Sequence, residues 1–280
     1  MSALGPAELD YVRTLIHRSA ALVLEPGKGY LVESRLGPVA RAEGYTSINE
    51  MVARIRHSPY GPLHHRIVQA MTTNETSWYR DVHPFDALRT RVVPELVARR
   101  ASERRLMIWS AACSTGQEPY SVAMLLAELP QLSGWDVTIL ASDLAEDAVA
   151  KGRAGRYTQL EVDRGLPAEL LVRHFRRDGA HWVVDDRLRS MVRFGVVNLI
   201  EPWPSFPPVD IVLLRNVMIY FDHTTKQQLL GRIRQRMRPD GYLFLGNAET
   251  TLNVDDGFVR IEPTRAGCYQ LRSALEGHRS

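Results

Sequence analysis

The sequence predicts an α/β protein whose larger part is a doubly wound, Rossmann-like domain with a mixed, mostly parallel sheet, preceded by an all-α N-terminal region. Three observations carry this. Up to about Met71, apolar residues recur only at helical spacing. Beyond it, five short apolar runs alternate with amphipathic segments, as in a parallel sheet covered on both faces. Between the first two runs stands "STGQEPYSVAMLLAEL", a glycine turn opening a helix, which is the ligand-binding corner of such a sheet.

Along the chain, Leu9, Val12, Leu15 and Ile16 share one helical face, and Ile48, Met51, Val52 and Ile55 share another. Ser47 and Glu50 have capping-box spacing, in which hydroxyl and carboxylate each satisfy an orphan backbone donor. The helical region is placed at 1–71, a linking segment at 72–90 and the second domain at 91–280. Its strands are "LMIWS" (106–110), "VTILAS" (137–142), "VRFGVV" (192–197), "DIVLLR" (210–215) and "YLFLG" (242–246). After Thr115-Gly116 and Pro119, the residues Val122, Leu125, Leu126 and Leu129 fall on one helix face. Thr224 and Gln227 are expected to cap the helix running to Met237, and "RPDGY" to turn the chain into the fifth run. "FVRIEPTRAGCYQLR" reads as two short strands around a Pro/Gly loop, an antiparallel edge that makes the sheet mixed. "HFRRDGAHWVVDDRL" (174–188) reads as a second hairpin turning at Asp178-Gly179, a small antiparallel β-subdomain near 174–190 that projects from the sheet.

Composition sets limits on function. With 280 residues and 45% hydrophobic content the chain can bury a large core. A net charge of +3 does not call for a polyanion, so nucleic acid is not an expected partner. Glu8, Asp10, Arg13 and Arg18 interrupt what a signal peptide would need as an apolar core, and no run reaches the length of a membrane span. A cytoplasmic protein without membrane insertion is expected. Cys113 and Cys268 lack companions at ligand spacing, which argues against a disulfide framework or a structural zinc. The nine histidines form no i, i+4 pair beside an acid; adjacent His64 and His65 point to different helix faces, and no metal site is expected.

The candidate chemistry sits at strand ends. The corner from Cys113 to Glu118 keeps one glycine of a dinucleotide fingerprint, Gly116, so a ligand without phosphate suits it better than a pyrophosphate. Glu118 at the helix start would face a cationic amino group, although acids are favoured in first turns anyway. Asp143 closes the second run, where a carboxylate can accept both hydroxyls of a ribose; it could equally serve as an N-cap. Asn198 ends the third run, and Arg215 and Asn216 the fourth. Such residues along one rim suit a nucleoside-sized ligand lying across it. Upstream, "MTTNETSWYRD" (71–81) carries more side-chain hydrogen-bonding groups than a linker needs, unless they cap helices.

With those motifs in view, the sequence resembles the chemotaxis receptor methyltransferase family of the CheR type. "MTTNETSWYRD", "SAACSTGQEPYS", "ILASDL", "VNL" and "LLRNVMIYFD" stand in that family's order and spacing over nearly the whole chain. The resemblance implies an S-adenosylmethionine methyltransferase domain that releases S-adenosylhomocysteine and esterifies glutamates on the cytoplasmic domain of chemoreceptors, the methyl-accepting chemotaxis proteins. It implies a cofactor site of Asn74, Thr76, Arg80, Glu118, Asp143, Asn198, Leu199, Arg215 and Asn216. Arg80 and Tyr220 fall on the catalytic positions, and the polar stretch would fold over the cofactor. A glutamate with an ordinary pKa of about 4.3 is already ionised at neutrality, so both residues would align it rather than activate it.

In the family the helical N-terminal region helps recognise acidic receptor helices. The resemblance points to Lys28, Arg35 and Arg41 as its basic face, with Arg56 and Arg66 as further candidates; a solvated helix surface explains them as well. The hairpin departs from the members that bind a C-terminal receptor pentapeptide, because "RRDGAHWV" is short with one glycine. A pentapeptide-independent enzyme is expected. Cys113 beside the corner reads as a buried small hydrophobe rather than an oxidation sensor. A nucleic-acid methyltransferase would need an "NPPY"-type loop or a Pro-Cys nucleophile, which "RNVMIYFD" does not supply. The alternative from another class is a non-catalytic signalling module that senses S-adenosylmethionine or S-adenosylhomocysteine.

Overall fold

Four helices open the chain: α1 (Pro6–Ala20), α2 (Gly29–Ala42), α3 (Ile48–Ile55) and α4 (Pro62–Met71). The structure is a computed structural model and describes residues 4–25, 27–262 and 265–276. Val12, Ile16, Val32, Leu36, Met51, Val52 and Ile67 form one buried cluster, so the helical periodicity is satisfied by helices burying each other's apolar stripes. Only half of the expected capping box forms: Ser47 Oγ accepts from Glu50 N, but the Glu50 carboxylate turns to Thr46 N and Oγ1. Thr46 offers that oxygen two donors where Ser47 offers one. His64 is buried, with Nδ1 accepting from Gly61 N and Nε2 beside Tyr11 Oη, while His65 is exposed.

After an irregular stretch, α5 (His83–Ala87), a π turn (Leu88–Val92) and α6 (Val93–Arg99) run as one helical rod. Pro94 has no N–H to donate back to Thr90, and the helix widens there. The sheet then builds through β1 (Arg105–Ala111), α7 (Gln117–Ala127), β2 (Asp136–Asp143) and α8 (Glu146–Ala154). A smaller unit follows: β3 (Arg156–Thr158), α9 (Gln159–Val162), α10 (Ala168–His174), β4 (Phe175–Asp178), β5 (His181–Val184) and α11 (Asp186–Met191). The main sheet resumes with β6 (Val192–Val196), β7 (Val209–Leu214), α12 (His223–Arg236), β8 (Met237–Leu245), β9 (Phe258–Arg260) and β10 (Gly267–Leu271), and α13 (Arg272–Glu276) ends it.

Strand order is β6-β2-β1-β7-β8-β10-β9; the first five are parallel, and β10 runs antiparallel to β8 and β9. The order turns at β1, so the carboxyl ends of β2, β1 and β7 diverge into a crevice. Along β1, Leu106 and Ile108 pack into one core while Met107 and Trp109 pack into the other, the period of two that buries both faces.

Several local expectations move. α7 is buried nearly all round, with Tyr120, Ala123 and Met124 as inaccessible as Val122 and Leu125, and Leu129 lies beyond its end. The helix packs against β2 and β6 of the sheet and against α11, which rests on the same two strands. The N-cap of α12 is Asp222, whose Oδ1 accepts from Thr225 N at 2.8 Å; neither Thr224 nor Gln227 caps it. "RPDG" lies inside β8 as a bulge, because Val209 pairs with Met237 and Ile211 with Tyr242. Gly241 permits it, since a Cβ there would sit 2.9 Å from Asp210 O. The second hairpin turns at Gly179-Ala180, since Asp178 still pairs with His181, and β3 adds a third strand to it. In the C-terminal hairpin, loop residues Pro263 and Thr264 lie outside the described residues.

At the opposite end of the sheet from the crevice, Arg100 donates from Nε to Asp210 at 2.9 Å and from both terminal nitrogens to Asp240. Burial pushes the Asp240 carboxyl up, but hydrogen bonds from Arg100 outweigh it and hold the group below its usual range. A carboxyl lowered in the folded state contributes stability above its unfolded pKa of about 3.9 and loses it as pH falls through the folded value. Asp240→Asn is therefore expected to cost about 1.5–3 kcal/mol at neutral pH. Urea titrations should show that difference shrinking below about pH 4.

Candidate functional site

The crevice holds a cavity of about 880 Å³, a volume that counts the space at its mouth open to solvent. Its lining brings together Asn74, Thr76 and Arg80 from the polar stretch, Glu118 from the first turn of α7, and Asp143 from the end of β2. Asn198 and Leu199 come from the segment after β6, and Arg215, Asn216 and Tyr220 from the segment after β7. Ala20 and Leu22, at and just past the end of α1, also line it. All ten residues singled out in the sequence for cofactor or catalysis thus meet at one cavity.

The strand-end loops that carry them bend sharply. Ala112, Ser114 and Asn216 have left-handed φ values of 60°, 51° and 59°, and so do Tyr79 and Asp81 in the polar stretch. Such conformations cost about 1–3 kcal/mol each in non-glycine residues, and here they cluster around the cavity. Gly116, with φ 95°, admits no side chain, because a Cβ would come within 3.0 Å of Gly152 Cα and the Tyr157 hydroxyl.

Asp143 holds this geometry from within, accepting from Ser114 N at 2.7 Å and Ala145 N at 2.9 Å. Burial raises its pKa, and those backbone donors act against the rise. It is not the N-cap of α8, a position taken by Ala145. Glu118 accepts from Ser110 Oγ on one oxygen and from Arg215 on the other, both at 2.8 Å. The second terminal nitrogen of Arg215 donates to Arg80 O at 2.7 Å and to Asp81 Oδ2 at 2.9 Å. The Arg215 side chain is only 1% exposed, and its Nε is buried without a partner among the described residues. Most of this guanidinium therefore serves the protein rather than a ligand.

The helical region is tied directly to the cavity. Asn198 Nδ2 donates to Ser19 O at 2.7 Å, Val23 N to Tyr220 O at 2.9 Å, and Arg35 to Met71 O and Thr73 Oγ1. Lys28, Arg35 and Arg41 do not form one open basic face. Arg35 is spent on the start of the polar stretch, Lys28 pairs with Glu25 at 2.8 Å, and Arg41 borders a separate groove beside Tyr45 and Tyr30. Arg66 pairs with Glu43, and Arg56 is exposed. Ser110, Asp81, Ser19 and Ala20 went unnoticed in the sequence; only Asp81, inside "SWYRD", had a local signal.

Two family models cover this chain: "CheR methyltransferase, all-alpha domain" over residues 7–72, and "CheR methyltransferase, SAM binding domain" over residues 74–266. The chain belongs to the CheR methyltransferase family. It is 40% identical to chemotaxis protein methyltransferase 1 of Pseudomonas aeruginosa over 272 residues, covering 95% of this chain and 98% of that protein. It is 38% identical to chemotaxis protein methyltransferase Cher2 of Pseudomonas putida, covering 96% and 99%. With the chemotaxis protein methyltransferase of Escherichia coli it shares 33%, covering 92% and 89%. This CheR-family enzyme is therefore a chemotaxis methyltransferase that uses S-adenosylmethionine. No helix among its described residues is long and apolar enough to cross a membrane.

Cys113 lines the cavity but is buried, and burial, followed by the nearby Asp143 and Glu118 charges, raises its thiol well above the usual range. Burial likewise pushes Cys268 up to about 12. A thiol so raised carries almost no thiolate and is a poor nucleophile. Both cysteines are expected to resist iodoacetamide at mildly alkaline pH in the native protein and to react in concentrated urea, as read by peptide mass spectrometry.

Proposed function

We propose that this CheR-family enzyme transfers the methyl group of S-adenosylmethionine to glutamate side chains on the cytoplasmic helices of a chemoreceptor, giving carboxyl methyl esters. The observation that carries the reading is the cavity's charge: Glu75, Glu118 and Asp143 against Arg80 and Arg215, a balance of −1, with Tyr220 beside them and no histidine in the lining. Such a site favours a cationic cofactor, and its inner carboxylates are already engaged, Glu118 by Arg215 and Asp143 by backbone N–H groups, rather than held free as a base. A glutamate nucleophile needs none.

The residues present fit the cofactor. Each Asp143 oxygen accepts one backbone N–H and keeps a lone pair for a ribose hydroxyl. The unpaired Arg215 Nε suits the carboxylate of the methionine moiety, and Glu118 its ammonium group. Asn198 and Leu199, on the wall that Ala20 and Leu22 share, would border the base, and Asn74, Thr76 and Asn216 would close the remaining sides. When bound, S-adenosylmethionine supplies an electrophilic methyl on a sulfonium; a glutamate oxygen forms the new O–C bond as the S–C bond breaks, its electron pair returning to sulfur.

Arg80 spends one donor on Glu75 O, and its remaining donors, with the Tyr220 hydroxyl, orient the incoming carboxylate. Region 1–71 presents receptor helices to the cavity, with the exposed Lys28 and Arg41 as its basic contacts. The enzyme works without a receptor pentapeptide: its hairpin closes in two residues, and Arg177 on β4 is committed to Gly179 O, Gln159 and the Trp182 ring. Calorimetry with a C-terminal receptor pentapeptide should accordingly show no micromolar binding, and clear micromolar binding would overturn that part.

Transfer of a labelled methyl group to a chemoreceptor cytoplasmic fragment, followed by alkali, tests the reaction. Base-labile label recovered as methanol is expected, with kcat about a hundredfold lower in Arg80→Ala through lost alignment. Cofactor binding without ester on any receptor would instead fit the sensing alternative.

A further inference from the structure

Beyond the cavity wall, Glu249 follows β8 in the loop "GNAET" and is only 9% exposed. Its carboxylate faces no cation among the described residues and gathers five backbone donors instead. Oε2 accepts from Asn216 N at 2.8 Å and Gly246 N at 2.7 Å; Oε1 accepts from Val217 N at 2.9 Å, Met218 N at 2.7 Å and Ile219 N at 3.3 Å. Four consecutive N–H groups converging on one anion, the first from a left-handed residue, form an anion nest whose occupant is a side chain of the same protein.

A buried charge must be compensated in full, and an apolar residue would avoid that cost. What the carboxylate achieves is specific to the segment it grips. Residues 216–219 would otherwise leave their donors unsatisfied, and Asn216 holds a conformation that few side chains favour. Gly246 fits the clasp because a Cβ there would lie 2.7 Å from Glu249 Oε2 and Asn216 Nδ2. The gripped segment runs from Asn216 to the residue before Tyr220, and Asn216, Val217 and Tyr220 all line the cavity.

We propose that Glu249 is a positioning residue of the methyl-transfer site, an internal anion that locks the loop after β7 so that Asn216 and Tyr220 face the cofactor and the incoming carboxylate. The inference rests on the roles proposed above for those two residues, but not on the identity of the methyl acceptor. Glu249→Gln replaces one acceptor oxygen with an NH2 that opposes either the Asn216 and Gly246 donors or the other three, so the loop is released on one side.

The test is S-adenosylhomocysteine binding by calorimetry, together with amide hydrogen exchange, on the wild type and on Glu249→Gln. Affinity is expected to fall by about tenfold or more, matching loss of hydrogen bonds to a charged acceptor. Exchange should accelerate at 216–219 and Gly246 while β1 and α1–α4 keep their rates. A merely structural role would lower the melting temperature yet leave the affinity of the folded variant unchanged, and that result would overturn the proposal. Should Glu249→Gln fail to fold, the wild type still decides: amides 216–219 exchanging as fast as the exposed residues 252–253 would sink the clasp, and strong protection that tightens further with S-adenosylhomocysteine would support it. Normal cofactor binding with no receptor ester would count against the glutamate reading and leave the clasp standing.

Discussion

The site is organised by one buried cation. Arg215 directly follows a fully buried strand and has almost no solvent contact, so its charge has to be met inside the protein. Asp81 and Glu118 meet it, and Arg80 O takes a further donor. Those partners come from the polar stretch and from the first turn of α7, so satisfying a single guanidinium welds three separate segments together. Removing Asp81 or Glu118 would take away part of that compensation in a low-dielectric setting, which is why these segments behave as one unit.

The same economy recurs elsewhere in the site. Asp143 and Glu249 are carboxylates turned inward on backbone N–H groups, each stabilising a loop that contains a left-handed non-glycine residue, Ser114 in one case and Asn216 in the other. Strain placed at strand ends aims side chains into the crevice, and an internal anion offsets it. The helical region belongs to this arrangement as well. Through Ser19 O, Val23 N and Arg35 it fixes Asn198, the loop at Tyr220 and the start of the polar stretch, so anything that shifts α1 or α2 bears on the cavity.

Most of the fold was legible because it rests on short-range pattern. The apolar runs became β1, β2, β6, β7 and β8 within one or two residues, apart from the bulged start of β8, since a strand buried on both faces needs an unbroken apolar stretch. Caps and turns were less legible: Asp222 displaced Thr224, Thr46 drew Glu50 away from Ser47, and the hairpin turned one residue late. In each case several nearby groups could satisfy the same backbone donor or register, and small differences in reach decided among them. The three-residue strand β3 left no trace, being too short for any period to show.

By itself, then, the sequence determined the α/β class, the helical region ahead of it, and the kinds of side chain that stand at each strand end, because those features depend on neighbours a few positions away. Only the tertiary structure decided which carboxylate meets Arg215, that Ser19, 179 positions distant, anchors Asn198, and that Glu249 grips the loop before Tyr220. Contacts of that kind follow from the way the sheet stacks its strands, and they impose no period on the chain through which they could be read beforehand.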